Sequence, residues 1–138
     1  MSSFQARAVI FDLDGVLVDS EPLCLAALNR ILVAEGAHPI TEEENRPLFG
    51  TTVEYTWDAV KEMRSLPRPV GYYLELYGRV LPGIFEEELV LQPGALRAVQ
   101  AVRARMLPLG LATSSRRKWV EVTLKVVGLG DAFDAIVT

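Results

Sequence analysis

The stretch Phe11-Asp12-Leu13-Asp14-Gly15-Val16-Leu17-Val18-Asp19-Ser20 closes an apolar run with two carboxylates spaced two residues apart and followed at once by glycine. Ala8 to Phe11 reads as a buried strand. Val9, Ile10 and Phe11 follow one another without a polar side chain, as expected of a parallel strand covered on both faces. Ligands of open parallel sheets sit beyond the carboxyl ends of the strands, and the period-two rule projects Asp12 and Asp14 from the same side of the chain. Two close carboxylates repel each other and attract a cation such as Mg2+, which takes oxygen ligands and leaves positions for a phosphate. The bland alternative, a solvated loop, sits poorly with the apolar continuation Val16-Leu17-Val18. A calcium loop of the EF-hand type fails on spacing, because Gly15 is fourth from Asp12 and the twelfth position is Leu23.

A second segment has the same design. Pro108-Leu109-Gly110-Leu111-Ala112 reads as another buried strand and runs into Thr113-Ser114-Ser115 before a helical pattern of Trp119, Val122, Thr123 and Val126. Hydroxyls at a helix start can cap it, and the free N–H groups and positive dipole end there favour a phosphate. Arg116, Arg117 and Lys118 in the first turn oppose that dipole. They face solvent, or one of them draws a phosphorylated substrate toward Thr113.

The chain has 138 residues, 50% of them hydrophobic, enough for a core, and no apolar run approaches the ~20 residues that span a bilayer. Met1-Ser2-Ser3-Phe4-Gln5 lacks the charged and apolar regions of a secretory signal, and a single cysteine, Cys24, excludes an intrachain disulfide framework. A cytoplasmic protein is expected. The net charge of -4 argues against nucleic acid as a partner. Half of the fourteen basic residues fall between Arg97 and Lys125, spread over two helical patterns without aromatic interleaving, as on a solvated face. His38, the only histidine, follows Gly36 in a loop and has no second ligand type near it.

Residues 20–90 contain no convincing buried strand but three helical patterns, on Leu23, Ala26, Ala27, Ile31, then Val53, Trp57, Val60, Met63, then Tyr73, Leu76, Tyr77, Val80, Leu81. Gly36, Pro39, Gly50, Pro67, Pro69 and Pro82 punctuate the pieces. Trp57, Tyr72, Tyr73 and Tyr77 read as core of this bundle, with pocket lining as the alternative. Glu42-Glu43-Glu44 follows Thr41, where acids complement a helix N-terminus; this run and Glu86-Glu87-Glu88 otherwise read as solvated faces. After Gln92-Pro93-Gly94 the pattern becomes helix 95–106, strand to Ala112, helix 116–127 and strand 135–138, an α/β arrangement. The expectation is a Rossmann-like parallel sheet core from 1–19 and 91–138 with a helical domain, 20–90, inserted between its two motifs.

The run F-D-L-D-G-V-L-V-D-S-E-P resembles motif I of the haloacid dehalogenase superfamily, in the branch of small phosphatases and β-phosphoglucomutases. The resemblance implies that Asp12 is the nucleophile taking a phosphoryl group and Asp14 the acid/base. It also implies that Asp12 and the Asp14 carbonyl hold Mg2+, and that Thr113, with Ser114 beside it, binds the phosphoryl group. In-line phosphoryl transfer requires such a set: an oxygen nucleophile, charge neutralisation and a proton donor at the leaving group. The helical insert would be the cap that closes over the site and selects the substrate, with Gly50-Thr51-Thr52 as its substrate-facing loop.

Two departures bear on substrate. The mutase branch usually carries histidine two positions after the proline of D-S-E-P, where this chain has Cys24, and arginine three positions after the glycine of the cap loop, where it has Val53. A mutase must grip a bisphosphate in two orientations, so a Mg2+-dependent phosphatase of small phosphorylated metabolites is the preferred reading. A sugar-phosphate mutase or a shortened, non-catalytic binding protein is the alternative. The family's third motif, a lysine, and its fourth, an acidic pair, belong after Thr138, where the sequence stops; Lys118, Lys125, Asp131 and Asp134 lie at the wrong spacing for these roles. The expectation for this chain alone is weak metal binding, low turnover, and an uncovered core edge through which two copies could associate.

Overall fold

The structure is a computed structural model and describes residues 5–138. In chain order the elements are β1 (Val9–Phe11), α1 (Glu21–Ala34), α2 (Glu42–Asn45), a 3-10 turn at Arg46–Leu48, α3 (Val53–Arg64), α4 (Val70–Glu88), α5 (Ala95–Ala104), β2 (Leu109–Ala112), α6 (Arg117–Val126) and β3 (Ala135–Val137). They form two compact units. One comprises the described part of Met1–Glu21 together with Phe85–Thr138, and the other is Pro22–Ile84.

The first unit is built on a three-stranded parallel sheet in the order β1-β2-β3. Val9 pairs with Leu109 and Phe11 with Leu111; Gly110 pairs with Ala135 and Ala112 with Val137. Parallel neighbours need a crossover connection, which α6 supplies between β2 and β3. Leu109 and Leu111 are buried with Val99 and Val102 of α5, Val120 and Leu124 of α6, and Leu129.

The expectation of strands covered on both faces is corrected by the other side of the sheet. The register puts Ile10, Gly110, Ala112, Ala135 and Val137 on one face, and there Ile10 is 71% and Val137 67% exposed. The apolar run of β1 therefore alternates in burial, and the face of β2 that carries Leu109 and Leu111 is the buried one. The chain leaves and rejoins this unit at one place. Val18 and Leu91 form an isolated antiparallel bridge, and Gln92 N donates to Leu17 O at 2.8 Å.

The second unit is all helical. α1 buries Leu23, Ala27, Leu28, Ile31 and Leu32, the one-sided spacing of an amphipathic helix. Pro82, which reads from sequence as a separator, lies inside α4. The helix continues through it at the expense of one main-chain hydrogen bond. The α2 start is a full capping box: Thr41 Oγ1 accepts from Glu44 N at 3.2 Å and Glu44 Oε2 from Thr41 N at 2.9 Å. Glu44 Oε2 also receives Arg64 Nη2 at 2.7 Å, while Arg64 Nε reaches the His38 carbonyl at 2.9 Å.

Trp57 is fully buried, stacked on Tyr73 at 5.4 Å with the Tyr77 ring edge-on at 6.0 Å. Tyr73 satisfies its hydroxyl by donating to Glu35 and accepting from Arg68 N. Among the described residues the Trp57 indole N–H finds no hydrogen-bond partner, a situation that costs about 1–3 kcal/mol in a buried site. Trp57→Phe removes that donor along with some apolar surface and is expected to change unfolding free energy by less than about 1.5 kcal/mol, against about 3–5 kcal/mol for Trp57→Ala; urea unfolding of the two variants measures both.

The Arg64 guanidinium, with help from the Thr41 N–H, holds the Glu44 carboxyl down at about 2 against an ordinary 4.5. A depressed folded-state value stabilises above the unfolded one, so this contribution is complete above pH 4.5 and disappears as pH falls through about 2. Acid unfolding followed by circular dichroism should lose this component in Glu44→Gln, whose stability is expected to vary less over that interval.

Candidate active site

Two loops at the carboxyl ends of β1 and β2 carry the residues singled out in the sequence. After Phe11 the chain turns tightly: Leu17 N donates to Leu13 O and Gly15 N to Val18 O, both at 2.9 Å. Gly15 has φ 75°, a left-handed value that explains glycine directly after the second acid. Leu13 and Leu17 are buried, whereas Asp12 is exposed and Asp14 half-buried, the alternation expected from the two-residue spacing. Asp12 Oδ1 accepts the Leu13 N–H at 2.7 Å.

Asp14 accepts on both oxygens. Ser20 Oγ donates to Oδ1 at 2.7 Å and Ser115 Oγ to Oδ2 at 2.6 Å, the latter across 101 residues of sequence. Thr113 continues the sheet pairing through its N–H, which donates to Val137 O at 3.0 Å, and its Oγ1 accepts Ser115 N at 3.1 Å. Thr113, Ser115 and Asp14 are thus one hydrogen-bonded chain joining the two loops. Ser114, exposed, occupies the turn between Thr113 and Ser115.

The sequence suggested that Ser and Thr cap α6. The structure corrects this, because the cap position is Arg116, whose side chain makes no cap hydrogen bond. The hydroxyls of Thr113 and Ser115 are engaged inside the loops instead, which leaves the helix-start N–H groups to another acceptor. Arg117 is exposed but not simply solvated, since its Nη2 donates to Ile136 O at 3.1 Å; the Lys118 ammonium lies 4.9 Å from the Trp119 ring centroid.

Partial burial raises the Glu21 carboxyl above the usual range, and the charges of Asp14 and Asp19 push it the same way. This acidic neighbourhood attracts cations. Among the described residues no group of three or more His, Cys, Asp or Glu side chains is arranged to hold a metal ion. Asp12 and the Asp14 carbonyl would be the protein ligands. That donor set fits Mg2+, which binds through one or two carboxylates and takes water and phosphate oxygens for the rest.

Gly50, Thr51 and Thr52 belong to the helical unit and have local roles there. Gly50 turns at φ 74°, Thr51 Oγ1 donates to Leu48 O at 2.7 Å, and Thr52 caps α3 by accepting Tyr55 N at 3.2 Å.

Two residues escaped the sequence reading, Ser20 and Ser115. Each lies in a quoted motif, but nothing in the spacing says that hydroxyls from separate loops converge on one carboxylate.

Residues 9–138 match the family model described as haloacid dehalogenase-like hydrolase. The chain is 30% identical over 131 residues to a phosphorylated carbohydrates phosphatase of Thermotoga maritima, covering 95% of this chain and 60% of the relative. It is 33% identical over 132 residues to a phosphoglycolate phosphatase of Cereibacter sphaeroides, covering 94% and 61%. It therefore spans about three fifths of the length of these curated relatives. The crystal structure of a Thermotoga maritima protein assigned as a β-phosphoglucomutase superposes with a TM-score of 0.81 at 30% identity, over 96% of this chain and 61% of that one. With the family model covering all but the first residues, the chain belongs to the haloacid dehalogenase-like hydrolases.

Proposed function

We propose that the protein hydrolyses phosphate monoesters of small metabolites, with Asp12 as nucleophile and Asp14 as acid and base. The observation that carries this reading is the Ser115–Asp14 hydrogen bond. It ties the acidic loop after β1 to the hydroxyl loop after β2 at the carboxyl ends of neighbouring parallel strands, where ligands of such sheets bind. The relatives named as phosphatases of phosphorylated carbohydrates and phosphoglycolate support small anionic esters as substrates.

Each step has a residue suited to it. Asp12 is oriented by the Leu13 N–H on Oδ1, so Oδ2 attacks phosphorus. The P–O bond to the alcohol breaks, its electron pair stays on the leaving oxygen, and that oxygen takes the proton of Asp14 in its acid form. Water then attacks the aspartyl phosphate and gives its proton to Asp14. The bond between phosphorus and Asp12 breaks, releasing inorganic phosphate and regenerating both carboxyl groups.

Thr113 Oγ1 already accepts from Ser115 N, so its own proton remains to donate to a phosphate oxygen. The start of α6, without a side-chain cap, offers N–H groups and the positive end of a ten-residue helix to the same anion. Mg2+, when bound by Asp12 and the Asp14 carbonyl, supplies neutralisation of phosphate charge.

Release of inorganic phosphate from a panel of sugar phosphates and phosphoglycolate, with Mg2+ and then with a chelator, tests the reading. Asp12→Asn is expected to lower turnover by roughly a thousandfold or more, and the chelator to lower it in the unsubstituted protein. Full activity of Asp12→Asn would sink the nucleophile assignment.

A further inference from the structure

The supports of Asp14 are hydroxyls on both sides, Ser20 Oγ at 2.7 Å on Oδ1 and Ser115 Oγ at 2.6 Å on Oδ2.

The two supports differ in reach. Ser20 is buried and lies six residues from Asp14 on the same loop. Ser115 comes from the loop after β2, where its own N–H is tied to Thr113 Oγ1 at 3.1 Å. Ser115 therefore fixes Asp14 relative to the hydroxyl that the reading above assigns to the phosphate, whereas Ser20 fixes it only relative to its own loop.

We propose that Ser115 is a positioning residue for Asp14, holding its carboxyl group in register with Thr113 and so at one aim toward the leaving oxygen. The inference rests on the phosphatase reading.

The test compares two esters. An alkyl phosphate leaves as an alkoxide and needs the Asp14 proton, whereas 4-nitrophenyl phosphate leaves as a stable phenolate and does not. General-acid help is worth about 10²–10⁴-fold, so Ser115→Ala, which misaims the acid without deleting it, is expected to lower kcat on the alkyl ester roughly tenfold more than on the aryl ester. Ser115→Thr, which retains a hydroxyl, is expected to restore the ratio. A residue that merely shapes the loop or holds phosphate would depress both esters alike.

Equal loss on the two esters, or no loss, overturns the proposal while leaving the unsubstituted protein an active phosphatase. If the unsubstituted protein hydrolyses neither ester, the phosphatase reading itself falls and takes the proposal with it. Ser20→Ala in parallel shows whether the same-loop hydroxyl has the same selective effect; a larger selective loss there than in Ser115→Ala would also overturn the assignment.

Discussion

Parallel pairing is the constraint on which the first unit depends. Because β1, β2 and β3 run the same way, every strand delivers its carboxyl end to one edge of the sheet, and the segments that follow are brought together however far apart they lie in sequence. The Val9–Leu109 register places Asp12 and Thr113 each just beyond its own strand. The pairing then extends one step further, through Thr113 N to Val137 O. An antiparallel partner for β1 would have sent the hydroxyl loop to the opposite edge. The acids and the hydroxyls are neighbours because of strand direction, and the Ser115–Asp14 bond is the local result.

The elements themselves were largely legible. The strand at Leu109–Ala112 and the helix at Arg117–Val126 follow from unbroken apolar runs and from a period near 3.6, signals carried by consecutive residues. Thr41 and Glu44 announce their capping box three residues apart. Pro82 misleads because a proline inside a helix costs one main-chain hydrogen bond and a local clash, a cost that a long helix can outweigh. Ile10 misleads for a different reason. An apolar side chain in a strand looks the same in sequence whether or not an element covers its face, and burial is a property of the tertiary arrangement.

At the site, what a single segment encodes was readable, and what two segments make together was not. Asp12, Asp14 and Gly15 stand out by their spacing, whereas Thr113 was singled out by the family resemblance. Ser115 looks like a capping residue, since hydroxyls before a helix usually are. Its hydroxyl donates to a carboxylate supplied from 101 residues away, a partner that no local pattern names. The cap position itself falls one residue later, on Arg116, whose side chain makes no cap bond.

The bridge between Val18 and Leu91, with Gln92 N on Leu17 O, has a consequence for how freely the intervening segment can change. These contacts stitch shut the mouth of a long excursion, so the sheet experiences everything between them as one closed loop. Once a loop is long, its closure entropy grows only with the logarithm of its length, about 0.6 kcal/mol for each doubling. The sheet and its two loops are thereby indifferent to the size of the excursion and sensitive only to where it starts and returns. A scaffold stitched in this way permits helices to be added, lost or exchanged between those two points while Asp12, Asp14 and Thr113 stay in register.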